Sequence, residues 1–109
     1  MPIARRYDIH LPLAYNDGRR IEQAKFERTV AELVGRFGGL TGMRAEGGFA
    51  LAGFWVYEGQ LYEDAIITYT VYTLDVNPGD EFMRGLKPEL KKRFRQKDIL
   101  VVAQIVELF

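Results

Sequence analysis

The sequence contains no cysteine and no serine, and it has one histidine among its 109 residues. Without cysteine the chain forms no disulfide and offers no thiolate nucleophile or thiolate metal ligand. The absence of serine excludes a serine nucleophile. Because His10 is the only imidazole, a transition-metal site would have to rest on carboxylates. We therefore expect no resident metal and no cofactor.

An excess of charge of either sign is also absent. Lysine plus arginine and aspartate plus glutamate each number 15, so the net charge is zero. Such a chain has no long-range field to gather nucleic acid or an anionic membrane. No apolar run approaches the ~20 residues that span a bilayer, and residues 1–13 lack the apolar stretch of a signal peptide. These features predict a cytoplasmic protein that does not associate with membranes, and they argue against nucleic acid as a partner.

The composition is that of a globular protein, with 48% hydrophobic and 28% charged residues. This length suits a single domain that spans residues 1–109 and leaves no room for a second core. Domains of this size bury a modest share of their surface and are marginally stable. Because association with a second copy adds stability, we expect a homodimer.

The first half of the chain has clear periodicity. Apolar residues alternate over residues 7–13, which predicts a strand, and Asn16-Asp17-Gly18 then supplies a turn. An apolar stripe with helical spacing runs from Phe26 to Phe37 and predicts an amphipathic helix. Gly38 follows at the position of a left-handed cap, so the helix should end at Phe37.

The second half predicts a hairpin, a helix and a strand. Glycines interrupt residues 40–57, where we expect an irregular, bulged or edge strand, and a turn at 58–60 should join it to a strand over residues 65–76. Asn77 and Pro78 predict the start of a second helix, with a kink or break before Pro88. Residues 98–109 predict the last strand, which is apolar on both alternating faces from Ile99 to Val102, as in a strand covered on both sides.

The predicted order is strand, helix, strand, strand, helix, strand. This is the α+β, ferredoxin-like split βαβ pattern, in which both helices pack on one face of an antiparallel sheet. Since the last strand is apolar on its second face as well, we expect a partner to cover the open face. The residues expected near that interface are Thr70, Tyr72, Val102 and Gln104.

Three stretches, YDIHLPLAYNDG, RFGGLTG and LYEDAIITY, extend over much of the chain. Together they resemble a bacterial family of small domains for which no activity is established. The resemblance implies the ferredoxin-like fold. It carries over no catalytic residue.

Two groups of residues are candidates for catalysis. His10 could act as an acid or base, since imidazole alone titrates near neutral pH without perturbation. A surface or interface histidine with a hydrogen-bonded neighbour is the alternative. Glu58, Glu63 and Asp64 lie around the hairpin turn, where two carboxylates can share a proton or a divalent ion. Solvated turn residues are the alternative there.

Aromatic and basic residues are candidates for binding. Trp55 and Tyr72 belong to residue types enriched in pockets and interfaces. Lys91 and Arg95 belong to a run of six cations at the end of the second helix, which could contact phosphate or an RNA backbone. Those cations also complement the negative end of the helix dipole without any partner.

The sequence thus leaves three hypotheses for function. The first is a non-enzymatic interaction domain that self-associates through its open sheet face. The second is a small-molecule-binding domain or small enzyme that uses His10 or the hairpin carboxylates. The third is a nucleic-acid or phosphate binder that uses the basic end of the second helix.

Overall fold

The computed structural model describes residues 1–45, 53–57 and 60–109. Two helices and six strands lie in this part of the chain. In order they are β1 (Ile3–Pro12), α1 (Gln23–Phe37), β2 (Thr41–Ala45), β3 (Gly53–Tyr57), β4 (Gln60–Asp64), β5 (Ile66–Thr73), α2 (Val76–Arg93) and β6 (Leu100–Glu107).

Four of the strands form the main antiparallel sheet, in the order β2-β5-β1-β6. With α1 between β1 and β2, and α2 between β5 and β6, the two split βαβ units of a ferredoxin-like fold are present. The predicted fold is therefore confirmed. The expected edge position of β2 is confirmed as well.

The predicted hairpin was wrong in its pairing. β3 pairs with β4, and these two strands form a separate two-stranded sheet. In the main sheet β5 pairs instead with β2, with Thr41 opposite Thr70 and Ala45 opposite Ile66. The glycine-rich sequence between the strands hides where one ends and the next begins, because glycine supplies no side chain to either periodicity.

Alternate residues of the sheet face the helices and form the core. Tyr7, Ile9 and Leu11 of β1 lie opposite Val71, Tyr69 and Ile67 of β5, so these positions share one face. Both helices pack on this face. Their buried apolar residues are Phe26 and Leu33 in α1 and Met83, Leu86 and Leu90 in α2.

The helix ends follow the sequence signals in part. Gly38 adopts a φ of 84°, and its N–H donates to the carbonyl of Val34 at 2.8 Å, so the predicted end of α1 is confirmed. The second helix begins two residues earlier than predicted, at Val76, with Asp75 rather than Asn77 as its N-cap residue.

The predicted break before Pro88 is not found, because α2 continues through this residue to Arg93. Proline lacks the N–H that would bond to the carbonyl four residues earlier, which belongs to Arg84. Both Pro88 and Arg84 are exposed, so water can reach that carbonyl. The helix therefore tolerates the proline on its solvent side.

Candidate functional site

The face of the sheet opposite the helices, called here the open face, contains the candidate site. In β1 it carries Arg6, Asp8 and His10, which alternate with the core residues. Residues directly opposite in an antiparallel pair share a face. The open face therefore includes Thr68, Thr70 and Tyr72 of β5, Met43 of β2, and Leu100, Val102, Gln104 and Val106 of β6.

Asp8 is the centre of a hydrogen-bond network on this face. Asp8 is only 8% exposed, although no helix covers this face of the sheet. Arg6 donates to it from Nε to Oδ2 at 3.0 Å and from Nη2 to Oδ1 at 3.2 Å. The Thr70 hydroxyl donates to Oδ1 at 2.5 Å. One guanidinium and one hydroxyl thus hold this carboxylate in a fixed orientation.

The network also sets the acidity of Asp8. Burial acts to raise the pKa of this carboxyl, but the hydrogen bonds from Thr70 and Arg6 and the charges of Arg6 and His10 outweigh it. The pKa of Asp8 is therefore lowered, and the group is a carboxylate at neutral pH. It acts as a fixed negative charge beside His10 and is a poor general base.

His10 lies next to Asp8 on the same face of β1 and opposite Thr68. Its Nδ1 is 2.8 Å from the Thr68 hydroxyl oxygen, which fixes the orientation of the ring. Proton exchange with a ligand would then use Nε2. Thr68 is thus the hydrogen-bonded neighbour of this histidine across the sheet.

Exposed apolar side chains surround the polar centre. Met43 is 58%, Leu100 61% and Tyr72 41% exposed. Met43 lies opposite Thr68, and Leu100 lies opposite His10, so one row across the sheet runs from an apolar edge through a polar centre to a second apolar edge. The Arg6 guanidinium lies 6.0 Å from the centroid of the Tyr72 ring.

The four residues predicted near an interface, Thr70, Tyr72, Val102 and Gln104, all lie on the open face. Arg6 was missed by the sequence reasoning. Its spacing of two residues from Asp8 in a strand was the available signal, because such residues share a face.

The hairpin candidates are placed only in part. Glu58 lies outside the described residues. Trp55 belongs to β3 and lies opposite Tyr62, while Glu63 and Asp64 belong to β4 and lie opposite Phe54 and Gly53. No catalytic grouping is assigned to them.

The basic candidates lie on the helical side of the molecule. Lys91 is half-buried in the last turn of α2. Arg95 follows that helix with a φ of 53°, which is uncommon for a residue other than glycine. Its guanidinium lies 4.9 Å from the centroid of the buried Tyr15 ring. Arg95 is therefore directed towards the start of α1.

In residues 1–45, 53–57 and 60–109, no group of three or more histidine, cysteine, aspartate or glutamate residues is arranged to hold a metal ion. Within the same residues, neither helix has the length and apolar character required to cross a membrane.

Comparison with known proteins supports the fold. No protein-family model matches the chain, and no curated protein matches it. Among solved structures, a phage SAM lyase in complex with S-methyl-5'-thioadenosine matches with a TM-score of 0.64. The identity is 14%, and the match covers 97% of this chain and 87% of the other. This likeness shows a shared fold, while the resemblance to a bacterial domain family stays a prediction.

Proposed function

We propose that this chain is an interaction domain that forms a homodimer through its open face. The observation that carries the proposal is the composition of β6 on that face. Three of its four open-face residues are apolar, namely Leu100, Val102 and Val106. In an antiparallel sheet with one face in water, the residues on that face are usually polar. These residues favour a partner that removes them from water.

The polar centre of the open face is compatible with burial. A charge that enters an interface alone is costly, whereas one that is already paired and hydrogen-bonded is tolerated. Asp8 is bonded to Arg6 and Thr70 within one protomer. A second copy is the simplest occupant, because two-fold association uses the same patch on both chains.

Two equally exposed residues of β6 allow a matched test. Leu100 is 61% exposed on the open face, and Ile105 is 56% exposed on the opposite face. We expect light scattering behind size exclusion to give twice the 12.5 kDa chain mass for the unaltered protein. Leu100→Glu should weaken dimerisation by about a hundredfold or more, since it places a charge in an apolar contact.

Ile105→Glu should leave the dimer intact. Monomers of the unaltered chain at high micromolar concentration would contradict the proposal. Equal weakening by both substitutions would also contradict it, because the effect would then not depend on the face.

A second candidate function is the binding or cleavage of S-adenosylmethionine. It is supported by the fold likeness to a phage SAM lyase over 97% of this chain. The Tyr72 ring on the open face is 41% exposed, and the face of an aromatic ring attracts a sulfonium cation. His10, held by Thr68, would be the acid–base group in this hypothesis.

The second candidate is tested by incubating the protein with S-adenosylmethionine and measuring S-methyl-5'-thioadenosine by chromatography. The rate without protein is subtracted, because the substrate also decays by itself. We expect release above that rate, with at least a tenfold loss in Tyr72→Ala or His10→Gln. Glu81→Gln, on the exposed surface of α2, is the matched control and should retain the rate. The absence of both turnover and calorimetric binding would exclude this function.

A further inference from the structure

A groove between the two helices collects positive charge on the side of the molecule opposite the open face. Its volume is about 480 Å³. The first half of α1 contributes Ala24, Lys25 and Arg28, and the last turns of α2 contribute Glu89, Lys92 and Arg93. Four cations thus line this groove together with one carboxylate.

The positions of the cations on α1 are not explained by the helix dipole. Lys91, Lys92 and Arg93 lie in the last turn of α2, where cations complement the negative end of the helix dipole. Lys25 and Arg28 lie near the positive end of α1, where the dipole disfavours cations. The first turn of α1 contains no acidic residue, but its N-cap residue, Glu22, accepts a hydrogen bond from the Tyr15 hydroxyl and forms an ion pair with Lys25 at 3.5 Å. The Glu22 carboxylate therefore offsets part of the positive charge that Lys25 brings to the groove.

One cation of the groove is fixed in place by buried contacts. The Arg93 side chain is 7% exposed. Its guanidinium donates to the Thr29 hydroxyl at 2.8 Å and to Glu32 at 2.7 Å. Arg28 donates to the same Glu32 oxygen at 3.1 Å. One carboxylate therefore serves two guanidiniums, so it neutralises half of their charge.

Arg95 is a further cation beside the groove, and it contacts the same aromatic ring as Lys25. The Lys25 ammonium donates to the Tyr15 hydroxyl at 2.5 Å and lies 4.8 Å from the centroid of that ring. Arg95 contacts the same ring, at 4.9 Å. The shared contact with Tyr15 thus places Arg95, which follows α2, near Lys25 at the start of α1.

We infer that this interhelical groove binds a small ligand through its phosphate groups. Arginine and lysine are the side chains that recognise phosphate. The volume falls within the range of about 300–1,000 Å³ that small-molecule sites occupy. The zero net charge of the chain disfavours a long polyanion, which is attracted by an extended basic surface. The site is separate from the open face and does not depend on the function proposed there.

The test is calorimetric titration of the full chain with sodium tripolyphosphate at low ionic strength. We expect saturable binding that weakens by about tenfold or more in Lys92→Ala and in Arg28→Ala, the equivalent of one charge-assisted hydrogen bond. Lys91→Ala removes the same charge from the adjacent position of α2, outside the groove lining. It should change the affinity by less than about twofold, since salt screens the attraction between a ligand and a charge outside the groove. Circular dichroism confirms that each variant is folded.

Three outcomes would overturn the inference. The first is the absence of binding in the unaltered chain. The second is equal weakening by Lys91→Ala and Lys92→Ala, which would indicate a general charge effect. The third is tighter binding of a single-stranded oligonucleotide than of tripolyphosphate, with equal loss in all three variants, which would assign the surface to a polyanion.

Discussion

The Tyr7 hydroxyl donates a hydrogen bond to the Asp80 carboxylate at 2.5 Å and so joins the central strand β1 to the first turns of α2. Arg5 donates to both oxygens of the same carboxylate, at 3.1 Å each. Burial and the bond to Asp80 raise the pKa of Tyr7 to about 12, so its proton stays in place. This contact fixes the angle at which α2 begins, and its neighbourhood has no room for additional atoms.

The lack of space is sharpest at Gly79. A Cβ at this position would lie 2.7 Å from the Tyr7 hydroxyl oxygen and 2.8 Å from Cγ2 of Thr73. We expect Gly79→Ala to lower the free energy of unfolding by about 1–3 kcal/mol, as overpacked core sites do. Urea unfolding followed by circular dichroism measures the change.

Gly85 in the same helix is the matched control for this substitution. A Cβ there meets nothing within 4 Å. Gly85→Ala should therefore stabilise the protein by about 0.5–1 kcal/mol, through helix propensity alone. In a Tyr7→Phe background the penalty of Gly79→Ala should shrink, because the closest oxygen is gone. Equal effects of the alanines at positions 79 and 85 would show that the Tyr7 contact is not tight.

Acid should weaken the Asp80 contact. The hydrogen bond from Tyr7, followed by that from Arg5, holds the pKa of Asp80 below its ordinary value. A lowered carboxyl pKa contributes stability above the unfolded value of about 4 and loses it as the pH falls through the folded value. We expect the stability difference between the unaltered chain and Asp80→Asn to be largest at neutral pH and to shrink below about pH 4.

The measurement is urea unfolding at a series of pH values. Glu81→Gln removes a carboxylate from the adjacent exposed position and serves as the control. It should leave the acid dependence of the unaltered chain in place. A difference between Asp80→Asn and the unaltered protein that stays constant from neutral to acidic pH would contradict the assignment.

The local elements of this fold could be predicted because their signals lie within short segments. The stripe from Phe26 to Phe37 and the cap at Gly38 require only helical periodicity and one φ angle. The early start of β1 could not be predicted, because Ile3 is held by pairing with Glu107, more than a hundred positions away. Sequence reasoning has no access to that register until the sheet order is known.

The same limit applies to the candidate site. His10 was identifiable as the single imidazole, but its contact with Thr68 depends on the register between β1 and β5. Half of the lining of the groove between the helices could be predicted, because the cations of α2 form a run in the sequence. The other half of the lining, Lys25 and Arg28, has the pattern of the polar side of an amphipathic helix. Its position in the groove depends on how the two helices pack, which the local sequence does not show.

The acidity of Asp8 provides a test of the open-face network. The Thr70 hydroxyl donates to Asp8 and helps lower the pKa of this carboxyl against the effect of burial. Thr70→Val removes this donor while conserving volume, so the pKa of Asp8 should rise. The carboxyl carbon shift of Asp8 in an NMR titration reports the change directly.

Thr68→Val is the matched control for this titration. It removes a hydroxyl from the same strand and the same face, but from the contact with His10. Its effect on the pKa of Asp8 should be smaller than that of Thr70→Val. A larger effect of Thr68→Val would mean that His10, rather than Thr70, dominates the environment of Asp8.

Thr29 tests how firmly the two helices are joined. It is fully buried, its hydroxyl donates to the carbonyl of Lys25 at 2.8 Å, and the same oxygen accepts from Arg93 at 2.8 Å. Thr29→Val keeps the volume but leaves a buried guanidinium with one partner fewer. We expect a loss of about 1–3 kcal/mol in the free energy of unfolding, the cost of an unsatisfied buried donor. Thr29→Ser retains the hydroxyl and loses a methyl group, which by transfer alone costs about 0.8 kcal/mol. If the serine variant were less stable than the valine variant, packing rather than the bond to Arg93 would be what Thr29 contributes between the helices.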